Sequence, residues 1–145
     1  MRTKIQGLSQ TTKPSPLVEG SYRAKVVRMG PAGHAAKPCL AATFVILEPA
    51  AFAGRYIRTR LYCHERALWK LRWFLHAFNY DADLMAAEEV DDRRVVGLEG
   101  VIRLAYWNNN GYRRLDVQGF APSDRWDAAR LEPVNGEGAV EVLAE

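Results

Sequence analysis

The first part of the chain alternates apolar and charged positions as β-strands do. In GSYRAKVVRMG (residues 20–30) apolar side chains recur at every second position between two glycines, which predicts a strand with one buried face. CLAATFVILEP (39–49) is a longer apolar run whose β-branched content favours a second, buried strand. Between them, GPAGHAAKP (30–38) holds two glycines and two prolines and predicts a loop. RYIRTRLY (55–62) resumes the alternation and predicts a third strand.

The period then changes from two residues to about 3.6. In HERALWKLRWFLHAFNY (64–80), apolar residues three and four positions apart form one helical face, which comprises Ala67, Leu68, Leu71, Phe74, Leu75 and Phe78. Trp69 and Trp73 lie four residues apart on the flank of this face. We expect them to pack against the rest of the fold, with contact to a second subunit as the alternative.

The remaining pattern predicts a β-hairpin. Residues 81–99 are acidic and weakly patterned, with a short helix expected around 84–88. After Gly100, two alternating runs are joined by Asn-Asn-Asn-Gly, and Asn-Gly supplies the positive φ angles of a tight hairpin turn. One more helical turn is expected beyond Pro122.

Three strands, a helix and a two-stranded hairpin follow the element order of the OB-fold, a small Greek-key barrel that binds oligonucleotides and oligosaccharides. We therefore predict a mainly β protein with an OB-like five-stranded barrel at residues 17–123. A flexible N-terminal arm at 1–16 and an acidic C-terminal tail at 124–145 would flank it. An open antiparallel sheet with a helix on one face has the same element order and is the alternative.

Composition limits the class of protein. The 145 residues are 48% hydrophobic and 26% charged, which indicates one globular domain. There is no run of about 18 apolar residues and no apolar centre of a secretion signal near the N-terminus, so we expect a cytoplasmic protein that makes no membrane contact. Cys39 and Cys63 are too few for a disulfide framework and are expected to be small buried thiols.

The net charge of +3 hides an asymmetry. Residues 1–80 carry thirteen Lys and Arg against three Asp and Glu, whereas residues 81–145 carry seven against fourteen. This split predicts a basic surface for an anionic partner, and an acidic segment that competes with that partner or recruits another. A chance segregation of solvated charges is the alternative interpretation.

The alternation of side chains between the two faces of a strand, here called parity, predicts which residues form the basic surface. In the third strand an apolar set (Ile57, Thr59, Leu61, Cys63) alternates with a set of cations and aromatic rings (Tyr56, Arg58, Arg60, Tyr62). In the hairpin the predicted core set is Ile102, Leu104, Tyr106, Leu115 and Val117, and the opposite set is Arg103, Trp107, Tyr112 and Arg114. Arg23 and Lys25 of the first strand add a third basic stretch. Guanidinium groups hold phosphates and aromatic rings stack on bases of any sequence, so these ten residues predict a site for single-stranded nucleic acid.

Catalytic and metal patterns are weaker. His34, Cys39, Cys63 and His64 lack the spacing of a structural zinc site, and the acidic pairs near residue 90 lack the pattern of a calcium loop. GPAGHAAKP lacks the Gly-Lys-Ser/Thr ending of a phosphate-binding loop. We predict neither an enzyme nor a cofactor.

Four stretches also resemble a family of small phage and prophage proteins, largely uncharacterised and often described as single-stranded-DNA-binding. They are LVEGSYRAKVV, FAGRYIRTRLY, RALWKLRWFLHAFNYD and GLEGVIRLAYW with GYRRLDVQGFAPS, within residues 17–123. The resemblance implies a phage replication or recombination protein that coats single-stranded DNA and works beside a recombinase or annealing protein. It carries over no defined functional residues. Bacterial single-strand-binding proteins end in an acidic tail with a terminal phenylalanine, whereas this chain ends EVLAE.

The leading interpretation is thus a non-catalytic protein that binds single-stranded DNA. The alternative is a phage protein-interaction module, such as an inhibitor of a host nucleic-acid enzyme, in which residues 81–99 or the tail mimic nucleic acid. DNA and RNA are not distinguished, and the sequence leaves a homo-oligomer open.

Overall fold

The computed structural model describes residues 1–13, 16–34 and 37–129. The strands are β1 (Gly20–His34), β2 (Lys37–Glu48), β3 (Tyr56–Tyr62), β4 (Glu99–Asn109) and β5 (Tyr112–Pro122). The helices are α1 (Leu68–Ala77), α2 (Ala82–Ala86), α3 (Asp92–Val95) and α4 (Trp126–Ala129), and short 3₁₀ turns cover Leu8–Gln10, Ala50–Phe52 and Ser123–Arg125. Residues 130–145, most of the predicted acidic tail, lie outside the described residues.

The strands form one antiparallel sheet in the order β3-β2-β1-β4-β5, so the mainly β class and the helix between β3 and β4 are confirmed. The prediction of a closed barrel is wrong, and the alternative prediction, an open antiparallel sheet with a helix on one face, is confirmed. Edge strands β3 and β5 share no backbone pairing within the described residues.

Side chains occupy the edge of β5 where backbone pairing would have closed a barrel. The N–H of Val117 donates to Asp116 Oδ1 at 2.8 Å, and the carbonyl oxygen of Val117 accepts from Lys70 Nζ of α1 at 2.8 Å. Both backbone groups of Val117 therefore have hydrogen-bond partners although β5 does not pair with β3.

The predicted loop at 30–38 is also wrong, because β1 continues to His34 and β2 begins at Lys37. β1 pairs with β4 only as far as Lys25, whereas its pairing with β2 continues to its end. Beyond Lys25 one side of β1 has no neighbouring strand, so Pro31 costs no ladder hydrogen bond there.

The core lies between the sheet and α1, as the helical period predicted. Leu71, Phe74, Leu75 and Phe78 are buried against apolar side chains from every strand, although Leu68, which was assigned to the same face, is 45% exposed. Asn79 has a left-handed φ of 59° and ends the helix.

The β4–β5 hairpin turns at Asn110 and Gly111, whose φ angles of 52° and 80° fit the predicted tight turn. Within the described ranges, no helix is long and apolar enough to cross a membrane.

Candidate nucleic-acid interface

The outer face of β3 carries the cation and aromatic set that parity predicted. Thr59 and Leu61 are at most 2% exposed, whereas Tyr56, Arg58 and Arg60 are exposed. Tyr62 is half-buried and its ring lies 6.1 Å from that of His64. We call Tyr56, Arg58, Arg60 and Tyr62 the β3 face.

The outer face of the β4–β5 hairpin carries a second such set. Trp107 and Arg114 are opposite each other in the ladder, and the Arg114 guanidinium carbon lies 5.2 Å from the centre of the Trp107 ring. Trp107 is 41% and Tyr112 66% exposed. Trp107, Tyr112 and Arg114 are called the hairpin face.

One hydrogen bond joins β3 to β5, the strands that carry most of the two sets. Thr59 follows Arg58 in the chain but points to the opposite, buried side of β3, and its hydroxyl donates to Asp116 Oδ1 at 2.9 Å. Arg114 Nη2 lies 3.5 Å from the other oxygen of the same carboxylate. We call this Thr59–Asp116 contact the seam. It brings the edge strands β3 and β5, which carry the two faces, side by side although Thr59 and Asp116 are 57 residues apart in the chain.

Lys70 supports the seam from beneath. Its ammonium donates to the Val117 carbonyl oxygen, and burial lowers the pKa of Lys70, an effect that the Asp116 carboxylate opposes and the Arg114 charge reinforces. A buried ammonium favours a nearby carboxylate, so Lys70 helps to hold Asp116 at the seam.

The other three predicted site residues lie elsewhere on the sheet. Arg23 pairs with Glu48 at 2.7 Å and Glu99 at 2.6 Å, and the hydrogen bond to Glu48 raises its pKa. The two carboxylates already neutralise the charge of Arg23, and their negative charge disfavours a phosphate beside it. Lys25 is half-buried opposite Val45 of β2, and the half-buried Arg103 lines a cleft beneath α4.

Parity alone does not predict that Arg28 is exposed. A bulge between Val26 and Arg28 shifts the register of β1, so that Arg28 is exposed while Met29 is buried. Arg28 and Arg58 both lie opposite Thr43, one on each side of β2. Two strand spacings of about 4.8 Å place their Cα atoms roughly 10 Å apart. The consecutive apolar residues Val26 and Val27 were the signal of this bulge in the sequence.

Parity also assigned Tyr106 to the core, where it does not lie. Tyr106 is 39% exposed, and the guanidinium carbon of Arg113 lies 3.7 Å from the centre of its ring. Tyr106 has the parity of Ile102 and Leu104 but lies near the turn, beyond the core. The short distance to the Asn-Gly turn could have shown this.

Trp69 and Trp73 stack at 6.1 Å, and Trp73 packs edge-on against Phe120 at 5.6 Å. Trp73 therefore packs on the fold as expected, whereas Trp69 remains 45% exposed.

Cys39 is buried and Cys63 half-buried, and burial raises the pKa of the Cys63 thiol. Among the described residues, no three His, Cys, Asp or Glu side chains are grouped so that they could hold a metal ion.

Several carboxylates of the acidic segment 81–99 have structural partners. Asp81 accepts from the backbone N–H groups of Asp83 and Leu84 and caps α2, and Asp91 accepts from that of Arg93 and caps α3. These two carboxylates therefore stabilise helix ends.

The chain matches no protein-family model, and a search of curated proteins finds no significant match either.

Proposed function

We propose that this protein binds single-stranded nucleic acid without sequence preference and without a catalytic step. Arg58, Arg60 and Arg114 hold phosphates, while Tyr56, Tyr62, Trp107 and Tyr112 stack on bases. The phage resemblance favours DNA as the ligand and a role in replication or recombination, beside a recombinase or annealing protein in the host cytoplasm.

The seam is the observation that carries this proposal. Either set of side chains alone is an ordinary exposed strand surface, because Tyr and Arg are common there. The hydrogen bond between Thr59 and Asp116 places the strands that carry the two sets, β3 and β5, side by side. A strand of nucleic acid that crosses the seam meets phosphate-binding and base-stacking groups on both sides of it.

The charges of the site also fit a polyanion. Arg58 and Arg60 have exposed side chains, and Arg28 extends the cationic surface across β2. Like charges at such spacing repel one another in the free protein, and bound phosphates relieve that repulsion. Arg23 is left out of the proposed contacts because two carboxylates hold it.

The test is binding of fluorescent oligo-dT by anisotropy over a series of salt concentrations. In the Arg58→Ala/Arg60→Ala variant we expect weaker binding and a salt slope smaller by about 1.4, since each phosphate contact to a single strand contributes about 0.7. Arg93→Ala is the matched control, because Arg93 is 93% exposed on α3, outside the proposed site. An unchanged slope in the double variant would remove the β3 face from the site.

The same titration separates this proposal from the protein-interaction alternative. A nucleic-acid mimic that inhibits a host enzyme has no reason to bind oligo-dT. Absence of binding at low salt would therefore reject the proposal and leave the alternative.

A further inference from the structure

The β4–β5 hairpin projects beyond the sheet as a two-stranded ribbon. β1 pairs with β4 only up to Leu104, and there Glu19 Oε2 accepts from the backbone N–H of Tyr106 at 2.7 Å. On the other side, the seam holds β5 at Asp116. From Tyr106 to the turn, β4 and β5 form four residue pairs, and neither strand pairs with a third strand there. At about 3.4 Å per residue, this part of the hairpin is roughly 14 Å long.

This ribbon carries a cation and an aromatic ring on each of its two faces. The Trp107–Arg114 pair belongs to the hairpin face, and Arg114 also contacts Asp116, the residue by which the seam joins β5 to β3. The Tyr106–Arg113 pair has the opposite parity, because successive residues of a strand point to opposite sides. Both aromatic rings are about 40% exposed.

A single strand that crosses the seam reaches only the Trp107 side of the ribbon. The Tyr106 side offers the same chemistry, a guanidinium for phosphate and a ring for a base, to a second strand. Two strands meet on opposite sides of a projecting element where a duplex opens into separate arms.

We infer that the ligand of this hairpin is the junction between duplex and single-stranded DNA, with one arm on the Trp107–Arg114 side and the other on the Tyr106–Arg113 side. This inference rests on the proposed function for the first arm and adds the second. The exposed rings at the tip then stack on the last base pair or on the first unpaired bases.

The experiment compares four labelled DNA ligands by anisotropy. They are oligo-dT, a blunt duplex, the same duplex with one dT arm, and the same duplex with two dT arms. The wild-type protein should bind the two-arm fork at least fivefold more tightly than the one-arm duplex, the lower limit for one additional stacking contact.

Two variants assign the effect to the hairpin. Tyr106→Ala/Arg113→Ala should abolish the preference for the fork and leave binding of oligo-dT unchanged, whereas Trp107→Ala should weaken both. Urea unfolding checks that each variant is folded, and Arg113→Gln removes the cation alone if the double variant is unstable.

The outcomes distinguish the two proposals. Binding of oligo-dT with equal affinities for the two-arm and one-arm ligands overturns the junction inference alone. Binding of the blunt duplex as tight as that of the fork also overturns it, in favour of insertion of the ribbon into a groove. No binding of oligo-dT overturns the proposed function itself.

Discussion

The Thr59→Val substitution tests whether the seam exists in solution. Valine has nearly the shape of threonine, so it leaves no cavity and removes only the hydroxyl that donates to Asp116. A hydrogen bond to a charged group contributes about 1.5–3 kcal/mol. The Asp116 side chain is 18% exposed and keeps its contacts with the Val117 N–H and with Arg114, so we expect a loss of about 1–2 kcal/mol in the free energy of unfolding.

Urea unfolding followed by tryptophan fluorescence measures this loss. With an m-value of about 2 kcal/mol/M, the midpoint should fall by roughly 0.5–1 M. Thr43→Val is the matched control, because Thr43 is half-buried in the neighbouring strand and its hydroxyl has no hydrogen bond within the described part of the chain. In an Asp116→Ala background, Thr59→Val should cost less than about 0.5 kcal/mol. Equal midpoints for Thr59→Val and Thr43→Val would refute the seam.

Two further variants test the core and Lys70. Gly100→Ala places a Cβ 2.7 Å from the ring of Phe78 and should lower the free energy of unfolding, measured in urea, by about 1–3 kcal/mol. Gly30→Ala is the control, because its Cβ would meet no atom within 4 Å. Equal stabilities of the two variants would contradict the packing of α1. Burial lowers the pKa of Lys70 in the folded protein below its ordinary 10.5. Between that lowered pKa and 10.5 the unfolded chain holds more protons than the folded one, so the free energy of unfolding rises with pH. Relative to Lys70→Gln, the wild type should therefore gain stability in urea as pH approaches 10.5, and a relative loss would show that the attraction of Asp116 outweighs burial.

The order and type of the main elements could be predicted from the sequence because each has a strong period. The apolar face of α1 and the Asn-Gly turn are local signals, and the structure confirms both. Open and closed sheets differ only in whether β3 and β5 pair, which is a contact between residues distant in the chain. At the edge of β5, Asp116 and Lys70 bond the backbone of Val117, and no local pattern in the sequence reveals these contacts.

The alternation of side chains predicted which residues of β3 are exposed better than it did for β1 and β4. Tyr56, Arg58 and Arg60 are exposed because β3 is short and free of bulges. In β1 a bulge shifts the register, so that Arg28 is exposed. The end of β4 extends beyond the core, so that Tyr106 is exposed. Arg23 was predicted to face a ligand, but its partners Glu48 and Glu99 come from two different strands and were not evident from sequence.

Photocrosslinking of a bromodeoxyuridine-substituted single strand, followed by mass-spectrometric mapping, tests the central claim most directly. If the β3 face and the hairpin face form one site across the seam, the crosslinked peptides should contain Tyr56 or Tyr62 as well as Trp107 or Tyr112. Trp69 is exposed but does not belong to either face, and it should remain free of crosslinks. Crosslinks confined to Trp69, or to one of the two faces alone, would contradict the account.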